Sequence, residues 1–384
     1  MRYDFDSIIN REGTSCLKYD WRKKIFGTNN VLPFWVADMD FKVADEILED
    51  IHNAVNHGIF GYTYQNDSVY EAFISWQKKK HDWNISQQNI LFFNGVVPSI
   101  NLIIQEFTEP GDEIIVQPPI YHPFFLSIES NKRTVIWNEL QKNEGAYYMD
   151  FENLKSQISP QTKMLLLCNP HNPVGRAWKK EELEELHAIC KRHNILVVSD
   201  EIHSDIIFSG THTPWAKISE DASQNSITLT SPSKTFNIAG LHLSVIITEN
   251  TAYYKRIQNF INTIHLTMSN SLSLVGFESA YTKGNAWLQE LLTYLRTNMV
   301  QIHDYLDDTR IHTNTPEATY LAWLDCSELN LSEKELHAKF VEAGVGLSIG
   351  SIFGKGGDQY MRLNFACPQE ILEQGLERIR KIAR

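Results

Sequence analysis

Beyond Phe41 the apolar positions fall into two alternating kinds of run. Short blocks rich in Ile, Leu, Val and Phe, bounded by Gly, Pro, Asn or Asp, have the length and branching of buried strands. They are Ile90–Phe93, Glu113–Gln117, Thr134–Asn138, Met164–Cys168, Ile195–Ser199, Ile227–Thr230 and Leu243–Thr248. Between them lie longer helical patterns. Lys179 to His193 is the clearest, with Glu181, Glu182, Glu184 and Glu185 early and Lys191, Arg192 and His193 late, the order that suits the helix dipole. This alternation predicts an α/β fold: a mostly parallel seven-stranded sheet with helices on both faces.

From Thr251 to Asp308 the chain reads as helical, and Asn285 to Asp308 is long enough to bridge two domains. A second pattern follows: a strand at Tyr320–Asp325, a helix at Ser332–Ala343 ended by Gly344, a strand at Tyr360–Phe365 and a helix at Gln369–Ile382. The chain length fits a large domain and a smaller one. Residues 46–285 are expected to form the large domain, and residues 1–45 with 286–384 a smaller α+β domain built from both chain ends.

Composition narrows the function classes. With 42% hydrophobic and 21% charged residues and no low-complexity tract, the chain is expected to fold as a soluble enzyme, and no apolar run approaches a membrane span. The start, Met1-Arg2-Tyr3-Asp4-Phe5-Asp6, carries no apolar signal region, so a cytoplasmic location is expected. Five scattered cysteines, an odd number, argue against a disulfide framework. A formal charge of −12 opposes nucleic-acid binding. The one basic run, Lys78-Lys79-Lys80 beside Trp76, reads as the solvated side of a helix.

In open parallel sheets, ligands bind beyond the carboxyl ends of the strands, so the residues that follow predicted strands are the informative ones. After Ile227–Thr230 comes Ser231-Pro232-Ser233-Lys234-Thr235-Phe236. A partly buried lysine with a lowered pKa can form a Schiff base with an aldehyde cofactor, pyridoxal phosphate, and Ser231 and Ser233 are short neutral donors of the kind a phosphate needs. Taken alone, such a string is more often an ordinary turn. After Ile90–Phe93, Asn94-Gly95-Val96-Val97-Pro98-Ser99 turns into a helix whose free N–H groups offer a phosphate site, although glycine before a helix is commonplace. After Ile195–Ser199, Asp200 either pairs with a protonated pyridine nitrogen, keeping the ring cationic, or caps the next helix. After Met164–Cys168, Asn169-Pro170-His171-Asn172-Pro173-Val174-Gly175 reads as a rigid loop from which Asn172 could donate to a phenolic oxygen.

The order of glycine turn, Asn-Pro-x-Gly, aspartate and Ser-x-Ser-Lys resembles the fold-type I pyridoxal phosphate enzymes of the aspartate aminotransferase superfamily, over essentially the whole chain. Pro33–Phe41, Asn169–Gly175, Ser231–Leu241 and Tyr360–Ala366 are most similar to the C–S β-lyase branch that includes cystathionine β-lyases of the MalY/PatB type. The resemblance implies that Lys234 carries the cofactor and, once freed, removes the substrate's Cα proton. It implies that Asp200 meets the pyridine nitrogen, Asn172 the ring oxygen and Tyr121 the ring face. Gly95, Val96, Val97, Ser231 and Ser233 would gather round the phosphate. Arg362 would bind the α-carboxylate of a small amino-acid substrate, with Ala37 and Asn172 beside it. Tyr62, or failing that Tyr64, would reach the phosphate of a neighbouring subunit, which implies a homodimer with shared sites.

There are two departures from the aminotransferase pattern. His242 stands where an arginine typically grips the phosphate, so that charge must be met by the helix start and hydroxyls. His203 stands at the cofactor where many aminotransferases carry tyrosine. Both agree with the lyase branch.

The expected activity is β-elimination from cystathionine or another S-substituted L-cysteine to a thiol, pyruvate and ammonia, with Tyr121 or Lys234 conceivable as the acid at sulfur. An aminotransferase, which shares the early steps, is the nearest alternative. A non-catalytic interaction protein is another, and the intact set of Lys234, Asp200, Asn172 and Arg362 speaks against it. His187, Cys190 and His193 share a helical spacing but lack a fourth ligand, so a surface helix explains them better than zinc, and no metal is expected. Gly344, Gly346 and Gly350 have the wrong spacing for a dinucleotide fingerprint. With Gly354, Gly356 and Gly357 they read as a mobile loop before Arg362, able to close over substrate.

Overall fold

All seven expected strands form, with small shifts at their ends. The computed structural model describes residues 2–383 and places these strands in one sheet. Its order is Ile90–Phe93, Ser244–Ile247, Ser226–Thr230, Leu196–Asp200, Thr162–Cys168, Glu113–Val116, Thr134–Trp137. Ser244–Ile247 runs antiparallel to both neighbours, and every other adjacent pair is parallel.

The near-continuous apolar runs follow from burial on both faces. Successive side chains alternate between two layers. Ile114, Val116, Leu166, Val198 and Leu229 pack towards the helix Val96–Phe107, whereas Ile115, Leu165, Leu167 and Val197 pack towards Lys180–Arg192. That second helix keeps the expected polarity, with Glu181 and Glu182 in its first turn and Lys191 and Arg192 in its last.

A four-stranded antiparallel sheet follows in the order His312–Thr313, Leu321–Asp325, Tyr360–Asn364, Ser348–Ile349. The long helix Asn285–Leu306 and the last helix, Gln369–Ala383, lie in one apolar core with the N-terminal segment, through Phe5, Phe34, Met39 and Phe41. Leu32–Pro33 pairs in parallel with Val345–Gly346, so both chain ends enter one structure.

Three expectations change. Trp76 is buried and its indole N–H donates to Asp205 at 3.0 Å, so the basic run does not lie beside an exposed tryptophan; only Lys78 and Lys79 face solvent, and the Lys80 ammonium sits 4.8 Å above the Trp76 ring. Cys190 is buried within its helix, away from the surface face assigned to it, and no cluster of potential metal ligands occurs among the described residues. The first half of the glycine-rich segment before Arg362 forms two short strands and the turn Gly350–Phe353, whereas residues 354–359, with Gly354, Gly356 and Gly357, form the expected loop. Its glycines permit close approach: a Cβ on Gly350 would lie 2.0 Å from the Gly357 carbonyl oxygen.

Candidate active site

Five of the seven strands deliver residues to one cavity of about 400 Å³ beyond their carboxyl ends. Counting the strands in chain order, Val96 and Val97 follow the first, Ile90–Phe93, Tyr121 and His122 the second, Glu113–Val116, and Asn172 the fourth, Thr162–Cys168. Asp200 ends the fifth, and Ser233 and Lys234 follow the sixth. Ala37 and Trp35 from the N-terminal segment and Arg362 from the small sheet close the cavity from the other side.

Lys234 lies in the short helix Pro232–Thr235, and its Nζ donates to the Ala37 carbonyl oxygen at 2.7 Å. Burial lowers its pKa to about 8, with Arg362 acting in the same direction and Asp38 and Asp200 opposing. An amine so placed is available as a nucleophile and base near neutral pH. Asp200 is pushed up to about 7 by burial, although its carboxylate accepts the Ile202 N–H at 3.1 Å and is drawn down by Lys234. A buried carboxylate with so little satisfaction from the protein suits a cationic ring nitrogen. Burial holds His203 down at about 3, so this ring at the cavity wall is neutral.

Asn172 presents both ends of its amide to use. Its oxygen accepts from Arg362 Nη1 at 3.0 Å, and its Nδ2 has no acceptor among the described residues. Arg362 also donates to the Trp35 carbonyl at 2.8 Å, while its Nε is buried without a partner. The loop holding Asn172 is fixed to Tyr121, whose N–H donates to the Asn172 carbonyl at 3.1 Å. At the other end of the cavity, Val96 and Val97 open the helix Val96–Phe107. First-turn N–H groups have no intrahelical acceptor, and Pro98 has none to offer, so this end suits a phosphate.

Three expected residues stand apart from the cavity wall. Gly95 caps that helix at φ 119°, a conformation glycine adopts freely, and its N–H donates to Ser244. Ser231 is a buried helix cap: its hydroxyl donates to the Leu243 carbonyl at 2.6 Å and accepts the Ser233 N–H, so it holds Ser233 in place. Tyr62 is 96% exposed on an irregular segment outside the cavity, and Tyr64 is exposed as well. His242 is exposed and does not line the cavity.

Sequence reasoning missed the row of donors that fixes the segment from Phe34 to Phe41. Asn364 Nδ2 donates to the carbonyls of Val36 and Asp38, and Asn237 Nδ2 to those of Met39 and Phe41. Tyr320 joins Lys234 on the Ala37 carbonyl, at 3.0 Å. Behind them, the buried Lys18 ammonium bonds Asp40 at 2.7 Å, and Arg11 bridges Asp38 and Asp40, each at 2.6 Å. The charged residues around Asp40 in Trp35-Val36-Ala37-Asp38-Met39-Asp40 were the available signal, since a carboxylate in an apolar run requires a partner.

The model of the family described as aminotransferase class I and II matches residues 28–379. The chain belongs to this family. It is 41% identical to cystathionine beta-lyase PatB of Bacillus subtilis (strain 168), covering 98% of this chain and 99% of that protein. Among solved structures, a PLP-bound putative aminotransferase from Clostridium difficile 630 superimposes with TM-score 0.97 at 41% identity, covering 99% of both chains. The PLP-bound C-S lyase from Staphylococcus hominis does so with TM-score 0.92 at 34% identity, covering 99% of this chain and 98% of that one. The seven-stranded sheet and the lysine after its sixth strand are thus set in a family fold.

Proposed function

We propose that this protein is a pyridoxal 5'-phosphate-dependent carbon–sulfur β-lyase that converts cystathionine or another S-substituted L-cysteine to a thiol, pyruvate and ammonia. What carries the reading is the convergence of Lys234, Asp200, Asn172 and Arg362 on one cavity, in a chain that matches a cystathionine beta-lyase over nearly its whole length. The donor set fits the cofactor: an amine of lowered pKa for its aldehyde, a buried carboxylate for its ring nitrogen, a free amide N–H for its ring oxygen and a helix start for its phosphate. When bound, pyridoxal phosphate supplies an electron-accepting ring that makes the Cα–H and Cβ–S bonds breakable.

The chain's own residues do the rest. Arg362 binds the α-carboxylate and so fixes which bonds of the substrate face Lys234. The Lys234 amine, neutral above about pH 8, takes the Cα proton. Tyr121 covers the ring, and burial raises its phenol above the ordinary value, keeping it protonated and able to donate. Neutral His203 adds no charge beside the ring. Val96, Val97 and Ser233 meet the phosphate, with Gly95 and Ser231 shaping their turns. We take the active unit to be a cytoplasmic homodimer in which Tyr62 of each subunit completes the other's phosphate site. Within each subunit, residues 46–285 are the large domain and the two chain ends the small one.

Incubation with cystathionine tests the activity. Pyruvate is expected to form with no 2-oxo acid present. If the cofactor instead stalls in its amine form until a 2-oxo acid is added, the protein is an aminotransferase and the lyase reading fails.

A further inference from the structure

A column of stacked groups runs from the surface to Arg362. The Lys142 ammonium lies 5.1 Å above the Tyr360 ring, and Tyr360 stacks on Trp323 at 5.1 Å with 9° between the planes. Trp323 meets Phe353 edge-on at 5.3 Å, and the Arg362 guanidinium sits 4.8 Å over that same Phe353 ring. Trp323 and Phe353 are almost fully buried. Trp323 also lies directly opposite Arg362 in the pairing of Leu321–Asp325 with Tyr360–Asn364.

The outer end of the column is fastened to another part of the fold. Lys142 belongs to the hairpin Gln141–Asn143 and Ala146–Tyr148, which follows the edge strand of the large sheet. Its Nζ donates to Asp325 at 2.5 Å and to the Tyr360 hydroxyl at 2.8 Å, and the Trp323 indole N–H donates to the Tyr147 hydroxyl at 3.1 Å. The hairpin therefore grips the two strands that present Arg362.

We propose that this column is a positioning device: the hairpin, acting through Tyr360, Trp323 and Phe353, sets the height of the Arg362 guanidinium and hence the affinity for the carboxylate of the substrate. The physical reason lies in how Arg362 is held. Its hydrogen bonds go to the Asn172 amide oxygen and the Trp35 carbonyl, with a long one of 3.5 Å to the Ser348 hydroxyl; its Nε has no partner, and no carboxylate forms an ion pair with it among the described residues. The face of Phe353 is then the main contact that fixes the cation perpendicular to its plane. Lys142, Tyr360, Trp323 and Phe353 are positioning residues, since they act through Arg362. The inference rests on the proposed role of Arg362 as the carboxylate anchor.

The test uses the holoenzyme and 3-(methylthio)propionate, which has the carboxylate and thioether of a substrate but no amine, so it binds without turnover. Its methyl ester is the control. By calorimetry, Phe353→Leu is expected to weaken binding of the acid about tenfold and Lys142→Met about threefold, with Lys142→Arg close to the parent. The ester and the cofactor affinity should stay within about twofold of the parent throughout. Should Phe353→Leu fail to fold, Lys142→Met against Lys142→Arg decides. Unchanged affinity for the acid, equal weakening of acid and ester, or parallel loss of cofactor would overturn the proposal and leave the column a packing feature. Because the probe is not turned over, a negative lyase assay with the acid effect intact would sink the activity and spare this inference.

Discussion

Arg362 and Asn172 share one hydrogen bond, from guanidinium Nη1 to the amide oxygen at 3.0 Å, although 190 residues separate them. The bond turns the Asn172 amide so that its N–H donors are free to meet a ring oxygen, while Arg362 keeps donors for a carboxylate. In the proposed function, this one contact would couple the grip on the cofactor to the grip on the substrate.

Replacement of Arg362 by lysine is expected to break that coupling, because a compact ammonium lacks the planar fork that reaches Asn172 and Trp35 and still meets a carboxylate in a bidentate pair. We expect kcat/KM for cystathionine to fall about thirtyfold, ~2 kcal/mol, mostly through KM. Steady-state kinetics checks this, and a variant with unchanged KM would remove Arg362 from the carboxylate site.

Asp200 gives a pH signature. Its pKa is about 7 in the fold, raised by burial from 3.8. Between these values the folded chain binds more protons than the unfolded one, so its contribution to stability falls as pH rises through this window, and the full cost remains above it. With the cofactor stripped, Asp200→Asn should therefore be more stable than the parent at pH 8, by on the order of 4 kcal/mol, and the two should converge near pH 4. Thermal melts across this range measure the difference; a constant offset would contradict the assignment.

The N-terminal charge cluster should be costly to break. Lys18 is fully buried against Asp40, and Lys18→Met would leave Asp40 to Arg11 alone. A loss of about 3 kcal/mol is expected in urea unfolding. The double variant Lys18→Met, Asp40→Asn should lose less than the sum of its parts, since it removes both charges together.

The proposed sharing of sites between subunits makes a mixing prediction. Lys234→Ala should lack the visible cofactor band and all turnover while remaining folded, and Tyr62→Ala should lose most activity through weaker phosphate binding. Refolded together in equal amounts, the two should recover about a quarter of parental activity, because half of the sites in each mixed dimer hold both an intact Lys234 and an intact Tyr62. No recovery would place Tyr62 outside the partner's site.

The reactive end of the site was legible because it depends on short-range chemistry. Lys234, Asp200, Asn172 and Tyr121 each stand within a few residues of a strand end, and ligand sites in such sheets gather there. Ser231 illustrates the limit: its hydroxyl has the right chemistry for a phosphate, yet its nearest acceptor is the Leu243 carbonyl, just before an adjoining strand. Trp76 shows the same for burial, since its position beside three lysines said nothing of Asp205, on which its indole closes.

The sequence alone determined the seven-stranded sheet, the order of its ligand-bearing loops and the lysine at their centre, because apolar periodicity and turn residues act over a few positions along the chain. Only the tertiary structure decided which groups meet across it: Lys234 and Tyr320 on the Ala37 carbonyl, Lys18 against Asp40, and the column from Lys142 to Arg362. Those contacts join segments far apart in sequence, and they form only once burial brings the segments together and requires each polar group to find a partner.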